Sequence, residues 1–119
     1  MRNPPQILVA DDNPANVDIF RTRLSAHGYD IISASDGEEA LRRARESRPD
    51  LIVLDIMMPK MNGIEVCRAI KADRSLPFIP IILVTARTDP KDVVAGLEAG
   101  AEEYLTKPID QTALIARIK

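Results

Sequence analysis

The sequence predicts an α/β fold in which a parallel five-stranded sheet is covered by helices on both faces. Short apolar runs alternate five times with longer amphipathic segments, the pattern of repeated strand–helix units. The run Leu51–Leu54 is apolar throughout and therefore predicts a central strand buried on both faces. With 119 residues, of which 45% are hydrophobic, the chain can bury one core as a single domain spanning residues 1–119.

The first strand–helix unit carries residues typical of helix ends. A strand is predicted at Gln6–Ala10, and the following helix begins near Asn13, a favourable N-cap, and Pro14, which suits the first helical position. The helix ends at His27 and Gly28, because glycine tolerates the positive φ that often terminates helices. We interpret the single histidine as part of this helix end rather than as a ligand.

The second unit begins in a similar way. Its strand is predicted at Asp30–Ala34, and its helix begins at Ser35 or Asp36 and ends at Pro49. Asp36 followed by Glu39 predicts a capping box, in which each side chain satisfies the backbone N–H of the other residue.

The remaining units follow the same order. The last helix has only about nine residues before the chain ends, fewer than the roughly 11 to 12 of a mean helix. We therefore expect that the domain was cut from a longer chain within this helix. The predicted elements are strands at Leu51–Asp55, Ile81–Thr85 and Glu103–Thr106, and helices at Gly63–Ala72, from Asp89 and Pro90 to Gly100, and from Asp110 onward.

The composition argues against several classes of function. A net charge of -2 and the lack of tryptophan disfavour a nucleic-acid-binding surface or a platform for base stacking. No apolar stretch approaches the roughly 18 to 20 residues of a membrane span, and no signal peptide is visible. Cys67 is the only cysteine, so no disulfide can form within the chain. We expect this residue to be a small core hydrophobe. We expect a cytoplasmic domain with no direct contact to nucleic acid or membrane.

Polar residues follow the apolar runs at the point where each strand ends. Asp11 and Asp12 follow the first strand, and Asp55 ends the third. Thr85 ends the fourth strand, and Lys107 follows the fifth. Because the carboxyl ends of parallel strands meet at one edge of a sheet, we expect these five side chains to share one site.

Three carboxylates in one small space repel one another unless a cation lies between them. Oxygen ligands suit Mg²⁺, with Mn²⁺ as a substitute. The predicted direct ligands are Asp12, Asp55 and the Met57 backbone carbonyl, while Asp11 acts through water. Taken alone, the adjacent acidic pair could simply be a favourable helix start, and Asp55 a strand end. Their coincidence with polar residues at two further strand ends argues against that interpretation.

These residues resemble the receiver domain of bacterial two-component response regulators, a family that includes chemotaxis regulators. The resemblance covers essentially the whole chain and implies a flavodoxin-like fold with strand order 2-1-3-4-5. It rests on four segments, which are Asp11-Asp12, Asp55 to Gly63, Thr85-Ala86 and Tyr104 to Pro108.

The resemblance implies a role for each site residue. Asp55 would accept a phosphoryl group as the nucleophile, Lys107 would pair with a phosphoryl oxygen, and Thr85 would donate its hydroxyl to another. Tyr104 would turn inward when Thr85 moves toward the phosphate. The peptide bond before Pro108 would be cis, an isomer that costs little before proline.

A receiver of this kind acts as a signalling switch rather than as a turnover enzyme. A histidine kinase or a histidine phosphotransfer protein would supply the phosphoryl group, and the domain would catalyse its own phosphorylation and dephosphorylation. The added charge would alter the surface of helix 4, strand 5 and helix 5. That surface would contact a C-terminal output domain, another partner or a second copy in a homodimer.

Two positions near the site are less typical of the family. Met57, two residues after Asp55, cannot hydrogen-bond an attacking water. Arg87, two residues after Thr85, is long enough to shield the phosphate. We therefore expect slow self-dephosphorylation.

Other classes of protein fit parts of the pattern. A phosphatase of the haloacid dehalogenase type would carry an Asp-x-Asp motif after the first strand, whereas Asp11 and Asp12 are adjacent and Asn13 follows. A nucleotide- or flavin-binding module would carry a glycine-rich phosphate loop there. A receiver that has lost phosphate acceptance is a further alternative, although every site residue is present.

Overall fold

A computed structural model shows a chain of alternating strands and helices. It describes residues 3–86 and 90–107, together with Ala116 and Ile118. Among these residues, no helix combines the length and the hydropathy that crossing a membrane requires. Features predicted at Arg87, Asp89, Pro108 and Asp110 lie outside the described residues. The elements are β1 (Gln6–Ala10), α1 (Pro14–Ala26), β2 (Asp30–Ala34), α2 (Gly37–Ser47), β3 (Leu51–Asp55), α3 (Gly63–Ala72), β4 (Ile81–Thr85), α4 (Pro90–Glu98) and β5 (Glu103–Thr106).

The strands of the described sheet are parallel and lie in the order β2-β1-β3-β4-β5. β1 pairs with β2 on one side and with β3 on the other, so Ala10 lies beside both Ala34 and Leu54. β4 pairs with β3 and β5, which places Thr85 beside Thr106. The predicted flavodoxin-like order is confirmed. The carboxyl ends of β1 and β3 therefore meet in the middle of one sheet edge.

Alternate strand residues face opposite sides of the sheet, and each side has its own core. Leu8, Ile52 and Leu83 pack with apolar residues of α2 and α3 on one side. Ile7 and Val53 pack with apolar residues of α1 on the other. β3 is buried along its whole length, as predicted for a central strand.

Cys67 of α3 is buried in the first of these cores. Its Sγ lies 3.6 Å from the carbonyl oxygen of Ala99, and burial raises the pKa of the Cys67 thiol to about 11. A thiol with such a pKa stays protonated at neutral pH, so the residue is a core hydrophobe, as predicted.

The helix starts confirm most of the predicted caps. Asn13 caps α1 by accepting a hydrogen bond from the Ala15 amide at 3.0 Å. Asp36 caps α2 by accepting one from the Glu39 amide at 2.8 Å. The reciprocal bond of the predicted capping box is wrong, because the Glu39 carboxylate accepts from the Ser35 amide instead. Ser35 offers both its amide and its hydroxyl to the same carboxylate oxygen, which explains the shift by one residue.

Candidate functional site

The candidate site lies at the carboxyl ends of β1 and β3. Asp11 follows β1 and Asp55 ends β3, and both side chains are buried, with 2% and 6% of the residue exposed. Asp12 is exposed beside them. One carboxylate oxygen from each of the three residues lies within 4.8 Å of the others. The structure thus brings together the three acidic residues that the sequence placed at one sheet edge.

Lys107 reaches this cluster from the end of β5. Its Nζ lies 3.0 Å from Oδ2 of Asp55 and 3.2 Å from Oδ2 of Asp11. Its backbone amide donates a hydrogen bond to the Thr85 carbonyl at 2.8 Å, which ties the residue to the end of β4. Lys107 therefore brings one positive charge to two buried carboxylates.

The start of α1 holds the Asp11 side chain in place. Oδ1 accepts a hydrogen bond from the Asn13 amide at 2.9 Å, and Oδ2 accepts one from the Asn16 side-chain amide at 3.2 Å. The N-cap of α1 is Asn13, so neither residue of the acidic pair is the helix cap. Sequence reasoning missed Asn16, because a polar residue in a first helical turn resembles an ordinary surface residue.

The two oxygens of the Asp55 carboxylate have different partners. Oδ1 accepts a hydrogen bond from the Met57 amide at 3.2 Å, and Oδ2 faces Lys107. The Met57 residue is 54% exposed, so its backbone rather than its thioether belongs to the site. The Met57 carbonyl as a metal ligand remains a prediction.

Charge and burial shift the pKa values of two site residues in the same direction. Burial raises the pKa of the Asp55 carboxyl and the charge of Asp11 raises it further, against the opposing effect of Lys107. Burial acts to lower the pKa of Lys107, but its hydrogen bond to Asp55 and the charges of Asp55 and Asp11 raise that pKa overall. Both shifts reflect an excess of negative charge in a poorly solvated space.

Thr85 and Tyr104 lie on the two strands beyond the acidic cluster. Thr85, the last residue of β4, is fully buried. Tyr104 of β5 is half-buried and lies beside Leu83 of β4. Its ring packs closely against Gly96 of α4, where a Cβ would lie 3.2 Å from the nearest ring atom. The roles of Thr85 and Tyr104 in a switch stay predictions.

The donor set fits a hard divalent cation. The three carboxylates supply oxygen atoms alone, which suits Mg²⁺ better than metals that prefer nitrogen or sulfur ligands. Two of the carboxylates are buried and share the charge of one lysine, so further positive charge would relieve their repulsion. The residues present are therefore compatible with Mg²⁺.

Comparisons with known proteins agree with this geometry. A family model described as the response regulator receiver domain matches residues 7–119. The chain is 46% identical over 114 residues to the alkaline phosphatase synthesis transcriptional regulatory protein PhoP of Bacillus subtilis. It is also 46% identical over 114 residues to the DNA-binding response regulator MtrA of Mycolicibacterium smegmatis. Each match covers 96% of this chain but only 47% and 49% of the relatives, so the chain spans about half their length.

A solved structure supports the same assignment. The signal receiver domain of a signal transduction histidine kinase from Syntrophus aciditrophicus superposes with a TM-score of 0.89 at 38% sequence identity. The superposition covers 96% of this chain and 86% of that chain. The phosphatase and the nucleotide-binding module considered from the sequence are thereby set aside. This chain belongs to the response regulator receiver domain family, as its motifs predicted.

Proposed function

We propose that this receiver domain accepts a phosphoryl group on Asp55, in a Mg²⁺-dependent transfer from a histidine kinase or a histidine phosphotransfer protein. The supporting observation is the contact of Asp55 with Lys107 inside a cluster of three carboxylates. A carboxylate that only stabilised the fold would be expected to have its charge matched by a partner. Asp55 instead shares the charge of Lys107 with Asp11. An ionised carboxylate is also a competent nucleophile toward phosphorus.

The transfer exchanges one bond to phosphorus for another. A carboxylate oxygen of Asp55 forms a bond to phosphorus while the bond from phosphorus to the donor imidazole nitrogen breaks. The donor nitrogen keeps that electron pair, and a proton on the other ring nitrogen makes the departing imidazole neutral. Mg²⁺ held by Asp12, Asp55 and the Met57 carbonyl, with Asp11 acting through water, would neutralise charge on the phosphoryl oxygens, and Mn²⁺ would substitute for it.

Lys107 and Thr85 would receive the transferred group. The Lys107 ammonium already bridges Asp55 and Asp11, so a small rotation would let it bind a phosphoryl oxygen while it keeps one of these partners. The Thr85 hydroxyl, at the end of the neighbouring strand, would donate to another oxygen. The same groups would again bind the phosphoryl oxygens during self-dephosphorylation, in which water replaces the carboxylate on phosphorus.

The phosphoryl group would carry a charge of about -1.5 to -2 at neutral pH and would replace the single negative charge of the Asp55 carboxylate. This charge would draw Thr85 toward Asp55 and give Tyr104 space to turn inward. The surface of α4, β5 and the helix predicted after β5 would then change. On α4, Val94 and Leu97 are apolar and about half exposed, which supports a contact face there for an output domain, a partner or a second copy.

The longer relatives suggest where such a signal would go. The name of PhoP describes a transcriptional regulatory protein, and that of MtrA a DNA-binding response regulator. We propose that this domain likewise controls an output domain in a longer cytoplasmic protein. The receiver itself would make no direct contact with nucleic acid or membrane, because its net charge is -2.

The test is incubation of the domain with Mg²⁺ and acetyl phosphate, followed by intact-protein mass spectrometry. The wild type is expected to gain the mass of one phosphoryl group, and Asp55→Asn to gain none. Asp50→Asn is the matched control, since Asp50 lies at the opposite sheet edge and accepts a hydrogen bond from the Gln6 amide. The proposed function would be contradicted if Asp55→Asn were labelled to the same extent as the wild type, or if the wild type were not labelled.

A further inference from the structure

The loop between β3 and α3, residues 56–62, lies against the first turn of α2. The Gly37 amide donates a hydrogen bond to the Pro59 carbonyl, with 3.3 Å between nitrogen and oxygen. The first amides of a helix have no acceptor within the helix, so the loop supplies one here. A Cβ on Gly37 would lie 2.0 Å from the carbonyl oxygen of Met61 and 2.5 Å from its Cβ. A residue without a side chain is therefore needed for this close approach.

The first turn of α3 holds the other end of the loop. The Gly63 amide donates to the Ile56 carbonyl at 3.0 Å, and a Cβ on Gly63 would lie 2.4 Å from the carbonyl oxygen of Asp55. Asn62 and Glu65 form a complete capping box at this helix start, which the sequence reasoning did not predict. The loop is thus fixed between the N-termini of two helices.

Between these contacts, the loop holds Met57 beside the predicted phosphoacceptor. The Met57 amide donates to Oδ1 of Asp55 at 3.2 Å, and the next amide, that of Met58, donates to the Ile56 carbonyl at 3.1 Å. The Met58 side chain is buried, whereas that of Met57 is exposed. A shift of the loop would therefore move the Met57 amide and carbonyl relative to the Asp55 carboxylate.

An ion pair lies beside the Gly37 contact. Lys60 Nζ is 3.6 Å from a carboxylate oxygen of Asp36, and the Lys60 backbone has a φ of 71°, which residues other than glycine rarely adopt. Lys60 is largely exposed, so the ion pair contributes little to stability. The inference below therefore depends on the backbone contact at Gly37 and not on this ion pair.

We propose that Gly37 is a positioning residue of the metal site. Its contact with the backbone of residues 59–61 holds the loop where the Met57 carbonyl can bind Mg²⁺. This inference rests on the proposed function in one respect, the binding of Mg²⁺ by Asp12, Asp55 and Met57. It extends that function to α2, an element that supplies none of the proposed ligands.

The first test compares Mg²⁺ affinity between wild type and Gly37→Ala by isothermal titration calorimetry of the unphosphorylated domain. Removing a group that orients a metal ligand from outside the coordination shell typically weakens binding by about 10–100-fold, so we expect a loss of about tenfold. Gly28→Ala is the matched control: it strains the backbone at a φ of 88° but creates no steric contact among the described residues. We expect this control to unfold at a lower temperature and to bind Mg²⁺ as tightly as the wild type.

A second measurement uses the wild type and does not depend on how well a variant folds. If the loop contact promotes Mg²⁺ binding, Mg²⁺ must stabilise that contact by the same free energy. Hydrogen exchange measured by NMR should therefore slow at the Gly37 amide when Mg²⁺ is saturating. The Gly28 amide, which donates to the Ser25 carbonyl at 3.0 Å, should keep its exchange rate.

The outcomes separate this inference from the proposed function. Equal Mg²⁺ affinity in wild type and Gly37→Ala would overturn only the role of Gly37 and not the proposed function. The same holds if the exchange rate of the Gly37 amide does not change with Mg²⁺. An equal loss of affinity in Gly28→Ala would also overturn it, because general destabilisation would then be the cause. A wild type that binds no Mg²⁺ would instead contradict the proposed function on which the inference rests.

Discussion

Two lysines at opposite edges of the sheet are both half-buried and both contact carboxylates, but their surroundings differ. Lys71, near the amino ends of β4 and β5, forms a salt bridge with Glu102 and donates to the Ile79 carbonyl at 2.9 Å. Its ammonium lies 4.4 Å from the centroid of the Phe78 ring. The second carboxylate oxygen of Glu102 accepts from the Ile81 amide at 3.2 Å. Among the residues that the structure describes, one cation meets one carboxylate at this edge, and both oxygens of that carboxylate accept hydrogen bonds.

The edge that carries Lys107 is balanced differently. Lys107 contacts the buried carboxylates of Asp55 and Asp11, and Asp12 offers a third carboxylate oxygen within 4.8 Å of theirs. Among the described residues, one positive charge therefore faces three negative ones. An imbalance of charge, rather than the presence of an ion pair, therefore distinguishes the candidate site from a structural salt bridge.

The largest expected difference between the two edges is in the rate of phosphorylation by acetyl phosphate. Lys107→Ala should slow labelling about 100-fold, because removing one group that stabilises developing charge typically costs a factor of about 10²–10³. Lys71→Ala should label at the wild-type rate but unfold more easily, by roughly 1–3 kcal/mol, because Glu102 loses its partner. Quenched labelling and urea denaturation measure the two effects. Equal labelling rates in the two variants would remove the distinction between the edges.

The second expected difference concerns Mg²⁺ and thermal stability. A ligand that binds only the folded state stabilises it by about 2.7 kcal/mol at a concentration 100 times its Kd. We expect Mg²⁺ to raise the Tm of the wild type and of Lys71→Ala to the same extent. The rise should be much smaller in Asp12→Asn, which removes an exposed carboxylate of the site. An undiminished rise in Asp12→Asn would show that Mg²⁺ acts elsewhere.

A smaller effect is expected in the pH dependence of stability without Mg²⁺. Because the pKa of Asp55 is raised in the folded protein, the folded state keeps a proton there after the unfolded chain has lost it. The stability contributed by this group is present at acid pH and is lost as the pH rises from the ordinary aspartate range, near about pH 4, through the raised pKa. Asp55→Asn should therefore be more stable than the wild type at about pH 7.

Urea denaturation from about pH 4 to about pH 7 tests this expectation. Other titrating groups also contribute to the measured slope, so the comparison with Asp55→Asn is what isolates the effect of this carboxyl. Parallel profiles for the two proteins would contradict the account of buried, excess negative charge.

The smallest expected effect concerns the lifetime of the phosphoryl group. Met57→Asn combined with Arg87→Ala should shorten the half-life a few-fold, because an amide can orient the attacking water and the shielding guanidinium is removed. The decay of labelled protein after removal of acetyl phosphate measures it, with Arg74→Ala as an arginine control outside the site. A half-life equal to that of the wild type would leave slow dephosphorylation without a basis.

The sequence alone was sufficient to place the main side chains of the site. Asp11 and Asp55 follow uninterrupted apolar runs, and parallel strands bring their carboxyl ends to one edge. The neighbouring positions of β1 and β3 came from the family resemblance, and the register of Ala10 with Leu54 confirms them. Lys107 could be placed in the same way because it follows β5 directly.

Contacts that depend on the path of a loop could not be predicted. Gly37 begins a helix, and nothing in its local sequence indicates that the backbone of Met61 passes close to its Cα. The hydrogen bond from Asn16 to Asp11 likewise depends on the exact turn between β1 and α1. The acceptor of the Ser35 amide was missed because a capping box and its one-residue shift have the same sequence pattern.

The phosphoacceptor can be identified directly by locating the phosphoryl group after reaction with acetyl phosphate and Mg²⁺. Reduction of the acyl phosphate with borohydride followed by peptide mapping would mark the modified carboxyl with a stable change. Asp55 alone is expected to be modified. Modification of Asp11 or Asp12, or of the Thr85 hydroxyl in an unreduced sample, would contradict it.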